Sequence, residues 1–210
     1  VMMVSPLDLD DFVFGFCFSE GLIDCAADIR DWGYVEMAAG WQVDVTLGAA
    51  HMAAFRERQR RLKGASGCGL CGAAALEEAL PRLPPLVPEP LPDTGLLAAL
   101  RERLWDAQTL GPRTGAVHAA LLLTATGETI ACREDIGRHN ALDKAIGAAL
   151  RHGGTMPGSV AVLSSRCSSE LILKAVRARV AVLVNLSAPS TLAVQLARRH
   201  GLRLLHLLQD

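Results

Sequence analysis

Short apolar runs at Val160–Leu163, Val180–Val184 and Leu202–Leu208 are separated by segments of helical spacing. That alternation constrains the fold of this chain more than any other feature. The intervening helices are read from Leu171, Ile172, Ala175 and Val176, and from Thr191 to Arg199 with Gly201 as its stop. Upstream, Val117 to Leu123 and Glu128 to Cys132 flank a Thr126-Gly127 turn and predict a hairpin. A helix from about Ala141 to Leu150, with Leu142, Ala145, Ile146 and Ala149 on one stripe, ends at Gly153-Gly154. Strands joined through helices imply a mostly parallel sheet covered on both faces. The expected class is therefore a three-layer α/β/α fold, with a smaller N-terminal α+β part.

The N-terminal part reads differently. Val1-Met2-Met3-Val4 suggests a strand cut open at its beginning, without the basic flank and cleavage site of a signal peptide. Ser5-Pro6-Leu7-Asp8 has the chemistry of a helix entrance, Phe12, Val13 and Phe16 follow at helical spacing, and Gly21 is the expected stop. Cys17 and Cys25 are expected in or beside this element. Trp41, Val43, Val45 and Leu47 alternate with polar residues as in a half-buried strand. A basic helix carrying Arg56, Arg58, Arg60, Arg61 and Lys63 comes next; it is either a solvated face or a dock for an acidic partner. Six prolines within residues 81–92 predict a stiff linker. The division expected is 1–80, a linker at 81–93, and a core at 94–210.

Two thiols stand in Gly67-Cys68-Gly69-Leu70-Cys71-Gly72, just before Ala73, Ala74, Ala75 and Leu76, which start a helix well. The glycines permit backbone angles that other residues resist. A helix N-terminus favours a thiolate over a thiol. A pair of this kind suits sulfur or redox chemistry better than core packing. The other four cysteines (Cys17, Cys25, Cys132, Cys167) are scattered singly, which fits a reducing cytosol better than a disulfide scaffold.

Three segments enter helices with similar chemistry: Gly137-Arg138-His139-Asn140, Ser164 to Ser169, and Ser187-Ala188-Pro189-Ser190-Thr191. The last two directly follow apolar strands, which places them at the carboxyl edge of the sheet, where open α/β sheets bind ligands. Helix N-termini offer unbonded N–H groups, and small hydroxyl residues let a phosphate approach. Each segment alone is also read as an ordinary cap. Together with two arginines and a histidine they point to an anionic ligand such as a nucleotide pyrophosphate. The candidate pocket residues are Arg138, His139, Lys144, Ser165, Arg166 and Ser187. The plainer reading of Glu134 to Lys144 has Asn140 or Asp135 capping while Asp143 and Lys144 face water, and His118 is read first as a satisfied core histidine.

With a net charge of -1 the chain is a poor candidate for coating nucleic acid. No apolar run reaches the roughly 18 residues of a membrane span.

These motifs resemble those of the formate dehydrogenase accessory sulfurtransferases, the FdhD family. The matching segments are Gly67 to Gly72, Thr114-Gly115-Ala116-Val117-His118-Ala119-Ala120, Glu134 to Lys144, and Ser187-Ala188-Pro189 followed by Leu192-Ala193-Val194. The resemblance implies a cytoplasmic protein with a cytidine-deaminase-like α/β/α fold, and it implies a homodimer. It implies sulfur received as a persulfide from a cysteine desulfurase. The sulfur passes to the molybdenum cofactor in its bis(guanine dinucleotide) form, which then serves formate dehydrogenase. Carried over, Cys68 bears the persulfide and Cys71 is its partner. The family's cofactor-contacting segment begins at Leu207; this chain has Leu207-Leu208-Gln209-Asp210 where the family usually has Phe, an apolar residue, Arg and Gly.

Two rivals carry a different chemistry. A zinc-dependent nucleobase deaminase needs His-x-Glu followed by Pro-Cys-x-x-Cys, but here the thiols precede His118 and Ala120 stands in the glutamate position. A structural zinc on Cys68 and Cys71 needs two further ligands, and no second pair of this spacing exists. No resident metal is therefore expected. The remaining alternative is a chaperone that binds the molybdenum cofactor without chemistry.

Overall fold

The computed structural model describes residues 2–38, 40–53, 83–154 and 156–207. The chain divides into two compact units, Val1–Ser19 with Leu83–Asp210, and Glu20–Arg82.

The larger unit holds a five-stranded sheet. Its strands are β3 (His118–Leu123), β4 (Thr129–Asp135), β5 (Val160–Leu163), β6 (Val182–Asn185) and β7 (Arg203–His206), in the order β4-β3-β5-β6-β7. β3 runs antiparallel to both β4 and β5, while β5, β6 and β7 are mutually parallel. The sheet is thus mixed: a hairpin joins β3 to β4 through Gly127 at φ +92, and helical crossovers lead from β4 to β5, from β5 to β6 and from β6 to β7.

Register assigns the faces. Ala119, Leu121 and Leu123 align with Val160, Val162, Val182 and Val184 and pack with Leu100 and Leu104 of α2 (Thr94–Ala107). On the other face, Ala120, Leu122, Ala161, Leu163 and Leu183 lie under α4 (Arg138–Arg151), α5 (Ser169–Arg177) and α6 (Thr191–His200). The result is the three-layer α/β/α architecture. A short helix, α3 (Gly111–Thr114), follows α2.

α1 (Leu9–Ser19) packs on the outside of α4, so α4 is enclosed and Asn140 to Ala149 are all buried. Gly15 and Gly147 make the crossing possible: a Cβ on Gly15 would sit 1.7 Å from the Asp143 carbonyl oxygen, and one on Gly147 1.8 Å from that of Asp11. Asp11 also bonds Arg133 at 2.7 Å and Arg151 at 2.6 Å. These contacts count α1 with the C-terminal core, where a division at the Pro-rich segment had put it with residues 1–80.

Three local expectations change. Met2 to Ser5 form no strand, and Ser5 is not a helix cap. Its hydroxyl accepts from Ile136 N at 3.1 Å and its N–H donates to Asp135 at 2.9 Å. The first α1 bond runs instead from Phe12 N to Asp8 O, with Asp8 left-handed at φ 53. Residues 83–92 are extended but anchored, through Leu86 N to His200 O at 2.8 Å and Arg203 Nε to Glu89 O at 3.3 Å.

The smaller unit contains a 3-10 turn at Ala26–Asp28 and an antiparallel hairpin of β1 (Ile29–Met37) and β2 (Gly40–Leu47). β2 matches the alternation read at Trp41 to Leu47. Among the described residues no helix is long and apolar enough to cross a membrane.

Candidate functional site

The strand directions bring five strand ends to one edge. β3 starts there, because His118 pairs with Asp135 at the end of β4 and Ala120 pairs with Leu163 at the end of β5. β5, β6 and β7 finish there in parallel. The loop after β5 is held by Ser164, whose N–H donates to Ala119 O at 3.1 Å and whose Oγ accepts from Ala119 N at 2.9 Å. The loop after β6 is held by Ser190, whose N–H donates to Cys167 O at 3.0 Å.

Arg138 and His139 open α4 at this edge. His139 Nε2 lies 3.0 Å from Ser168 Oγ and 2.8 Å from Glu170 Oε2, so the α4 entrance is joined to the α5 entrance. An ionised carboxylate only accepts, so Nε2 carries the hydrogen. Burial holds the His139 pKa below the usual histidine value; Glu170 opposes this, while Arg138, Lys174 and His118 add to it. His118 is lowered as well, by burial and then by Arg138, against a smaller pull from Asp135. Arg138 Nε is buried and makes no hydrogen bond. This edge therefore carries one guanidinium and two imidazoles whose pKa values lie below the usual histidine value, first through burial, with Arg138 adding to it at both.

Other residues of the acidic-to-lysine motif build the corner beneath. Successive residues of a strand point to opposite faces, so Glu134 and Asp135 serve different layers. Glu134 accepts from the N–H groups of Thr109, Leu110 and Gly111 at 2.8, 2.8 and 2.7 Å, fastening the segment after α2. Burial raises its pKa, but bonds from Leu110, Thr109 and Gly111 reverse that and leave it below the usual value. Asp135 accepts from Ser5 N, Gly137 N and Asn140 Nδ2, and pairs with Lys144 at 2.6 Å.

Lys144 is the correction among the candidate pocket residues. It has no exposed surface, and its ammonium is committed to Asp135 and to Ser5 O at 3.0 Å. It neither faces water nor reaches a ligand, because α4 lies between the sheet and α1. Asp143 is likewise buried, paired with Lys174 at 2.9 Å.

Ser165, Arg166 and Ser187 do lie in the edge loops. Arg166 is exposed and Ser187 half-buried, whereas Ser165 is buried and its hydroxyl donates to Arg166 O at 3.2 Å. Leu207 continues from β7, donating to Asn185 O and accepting from Arg101 Nη2, both at 3.0 Å. Cys68, Cys71, Leu208, Gln209 and Asp210, together with the basic run from Arg56 to Lys63, lie outside the described residues.

On the α2 side of the same edge opens a cavity of about 470 Å³. Leu104 and Leu186 give it apolar walls, and Ser164 and Arg101 border it. The sequence reading missed Arg101, Glu102 and Trp105 of α2, and Gln108 just after it. Their one signal is Trp105, a large aromatic placed off the Leu97-Leu100-Leu104 stripe.

Comparison with known proteins agrees with this architecture. The FdhD/NarQ family model matches residues 1–210. Sulfur carrier protein FdhD of Xanthomonas axonopodis pv. citri is 41% identical over 211 residues, covering 100% of this chain and 75% of that protein. Sulfur carrier protein FdhD of Bordetella bronchiseptica is 41% identical over 206 residues, covering 97% of this chain and 74% of that protein. The crystal structure of a formate dehydrogenase accessory protein from Desulfotalea psychrophila superposes with a TM-score of 0.69 at 28% identity, covering 97% of this chain and 74% of the other. With the family model matching residues 1–210 and relatives 41% identical, the chain belongs to the FdhD/NarQ family, whose relatives here are sulfur carrier proteins.

Proposed function

We propose that this protein takes up sulfur as a persulfide on Cys68 from a cysteine desulfurase in the cytoplasm. It then delivers that sulfur to the bis(guanine dinucleotide) form of the molybdenum cofactor, its substrate, on behalf of formate dehydrogenase. The observation that carries this reading is the single sheet edge where Arg138, His139 and His118 meet two helix entrances. The unbonded, buried Arg138 Nε fits an incoming phosphate oxygen, since a buried N–H without a partner is costly. The cavity beside Leu207 supports a nucleotide-sized substrate, because about 300–1,000 Å³ is usual for such sites.

In the loading step the Cys68 thiolate attacks the outer sulfur of the donor persulfide. A new S–S bond forms, the old one breaks, and the donor cysteine leaves as a thiolate, with no net change of oxidation state. A free thiol with a pKa of about 8.5 is mostly protonated near neutrality, so the loading step draws on the thiolate fraction of Cys68. Among the described cysteines, Cys17, Cys132 and Cys167 are poor rivals. Burial raises each to about 11, helped by Asp143 at Cys17 and by Glu134 at Cys132.

The test is cyanolysable sulfur on purified protein after incubation with a cysteine desulfurase and cysteine. The wild type should hold about one sulfur per chain, and Cys68→Ala should hold almost none. Full loading of Cys68→Ala would reject the assignment. Activation of formate dehydrogenase by a variant lacking both thiols would replace sulfur transfer with the binding chaperone.

A further inference from the structure

We propose that Asp24, Asp28 and His51 bind one divalent transition-metal ion, zinc by their donor set, which clips the β1–β2 hairpin at the end away from its turn. The inference goes beyond sulfur transfer and stands whether or not that reading holds. All three residues belong to the smaller unit.

The hairpin brings them together. Asp24 and Asp28 lie just before β1, and His51 lies just after β2, within the helical residues 49–53. The strands are antiparallel with Ile29 paired to Leu47, so the start of β1 meets the end of β2. Gly48 N donates to Asp28 O at 2.9 Å and fastens the backbone at that end.

The spacing of the donor atoms is that of a coordination shell. His51 Nε2 and one oxygen of each carboxylate all lie within 4.8 Å of one another. Nε2 stands 3.4 Å from Asp28 Oδ2 and 3.6 Å from Asp24 Oδ2. Both separations exceed the roughly 2.7–3.2 Å of an N–H···O hydrogen bond. They approach the edge of a ligand tetrahedron, since zinc bonds of about 2.0–2.1 Å set neighbouring donors about 3.3–3.4 Å apart.

Asp28 is already oriented. Its Oδ2 accepts from the N–H groups of Asp24 and Cys25, both at 2.9 Å. A carboxylate has about four lone-pair sites, so these bonds fix it and leave others for an ion, as supporting bonds do at metal sites. The side chains of His51 and Asp28 are 25% and 20% exposed, against 83% for Asp24. Two ligands are thus sheltered, and the third stands where an ion arrives from water.

The donor types name the ion. Calcium and magnesium take oxygen ligands, whereas an imidazole beside carboxylates suits zinc. The exposed Cys25 thiol also bonds the Asp28 carboxylate, adding a soft donor next to the hard ones. The two carboxylates together balance a divalent charge. A two-stranded hairpin is marginal by itself, and an ion bound only by the folded form stabilises that form.

Zinc competition against a chromophoric chelator tests this on the full chain carrying Cys68→Ser and Cys71→Ser, which removes the other thiol pair able to take the ion. This parent should bind about one Zn²⁺ per chain. Adding His51→Ala should weaken binding at least roughly tenfold, since loss even of a supporting partner costs that much. Asp24→Asn, at an exposed side chain, should weaken it as well while unfolding like the parent in EDTA. Zn²⁺ should raise the thermal midpoint of the parent and leave that of His51→Ala unmoved. No zinc bound by the parent, or equal affinity with and without His51, would overturn the inference. A midpoint that follows pH through the histidine range but ignores Zn²⁺ would overturn it too, leaving a protonated imidazole between two carboxylates.

Discussion

Asp135 and Lys144 show how one motif can serve two purposes. Both are fully buried, 2.6 Å apart, and between them they hold Ser5, Gly137 and Asn140. A paired buried charge adds little over a well-packed apolar pair, but removing one partner strands the other away from water. Lys144→Met should therefore cost about 3–5 kcal/mol in urea unfolding, and the double variant Asp135→Asn, Lys144→Met should recover part of that loss. A loss below about 1 kcal/mol would put the pair on the footing of a surface ion pair. Arg138 and His139 belong to the same run of sequence, yet they sit at the rim. Burial was not legible there: charged side chains in a helix are ordinarily solvated, and only the presence of α1 outside α4 encloses Lys144.

The α1–α4 crossing is the tightest contact between elements. Overpacked cores usually lose about 1–3 kcal/mol, occasionally more. Here a methyl group at Gly147 would meet backbone, which cannot rotate away as a side chain can. Gly147→Ala should therefore lie at or above the top of that range, read from the urea midpoint. Gly153→Ala is the informative comparison: its Cβ meets nothing within 4 Å, so its cost comes only from a φ of +69. The hairpin, the α4–α6 helices and the β5 to β7 strands were legible because their spacing is periodic. α2 and β1 were not anticipated: α2 follows a proline-rich segment, and β1 carries Gly33 among residues of mixed polarity.

For the whole molecule, the proposed anion site at this edge would couple binding to protons. The His118 and His139 pKa values lie below the ordinary histidine value, mainly through burial and with Arg138 adding to it. Their folded-state values are thus below the unfolded ones, so the stability they contribute is present above about pH 6.5 and is lost as the pH falls towards the folded values. A bound anion acts in reverse, raising both values and drawing in protons. Pyrophosphate should bind more tightly at pH 6 than at pH 8, with proton uptake visible as a dependence of the binding heat on the buffer. His139→Asn should reduce that uptake; uptake unchanged in both His139→Asn and His118→Asn would exclude these imidazoles as its source.

By itself the sequence determined the layered α/β class, the strand ends that share one edge, and the thiol pair on which the proposed chemistry rests. Periodicity and local turn chemistry act over a few residues, so they survive without coordinates. Tertiary structure alone decided that α1 encloses α4, that Lys144 is sealed within the corner, and that a tryptophan and a carboxylate of α2 reach the same edge. Those facts depend on which faces meet across more than a hundred residues of chain, and enclosure or convergence of that kind leaves no periodic trace.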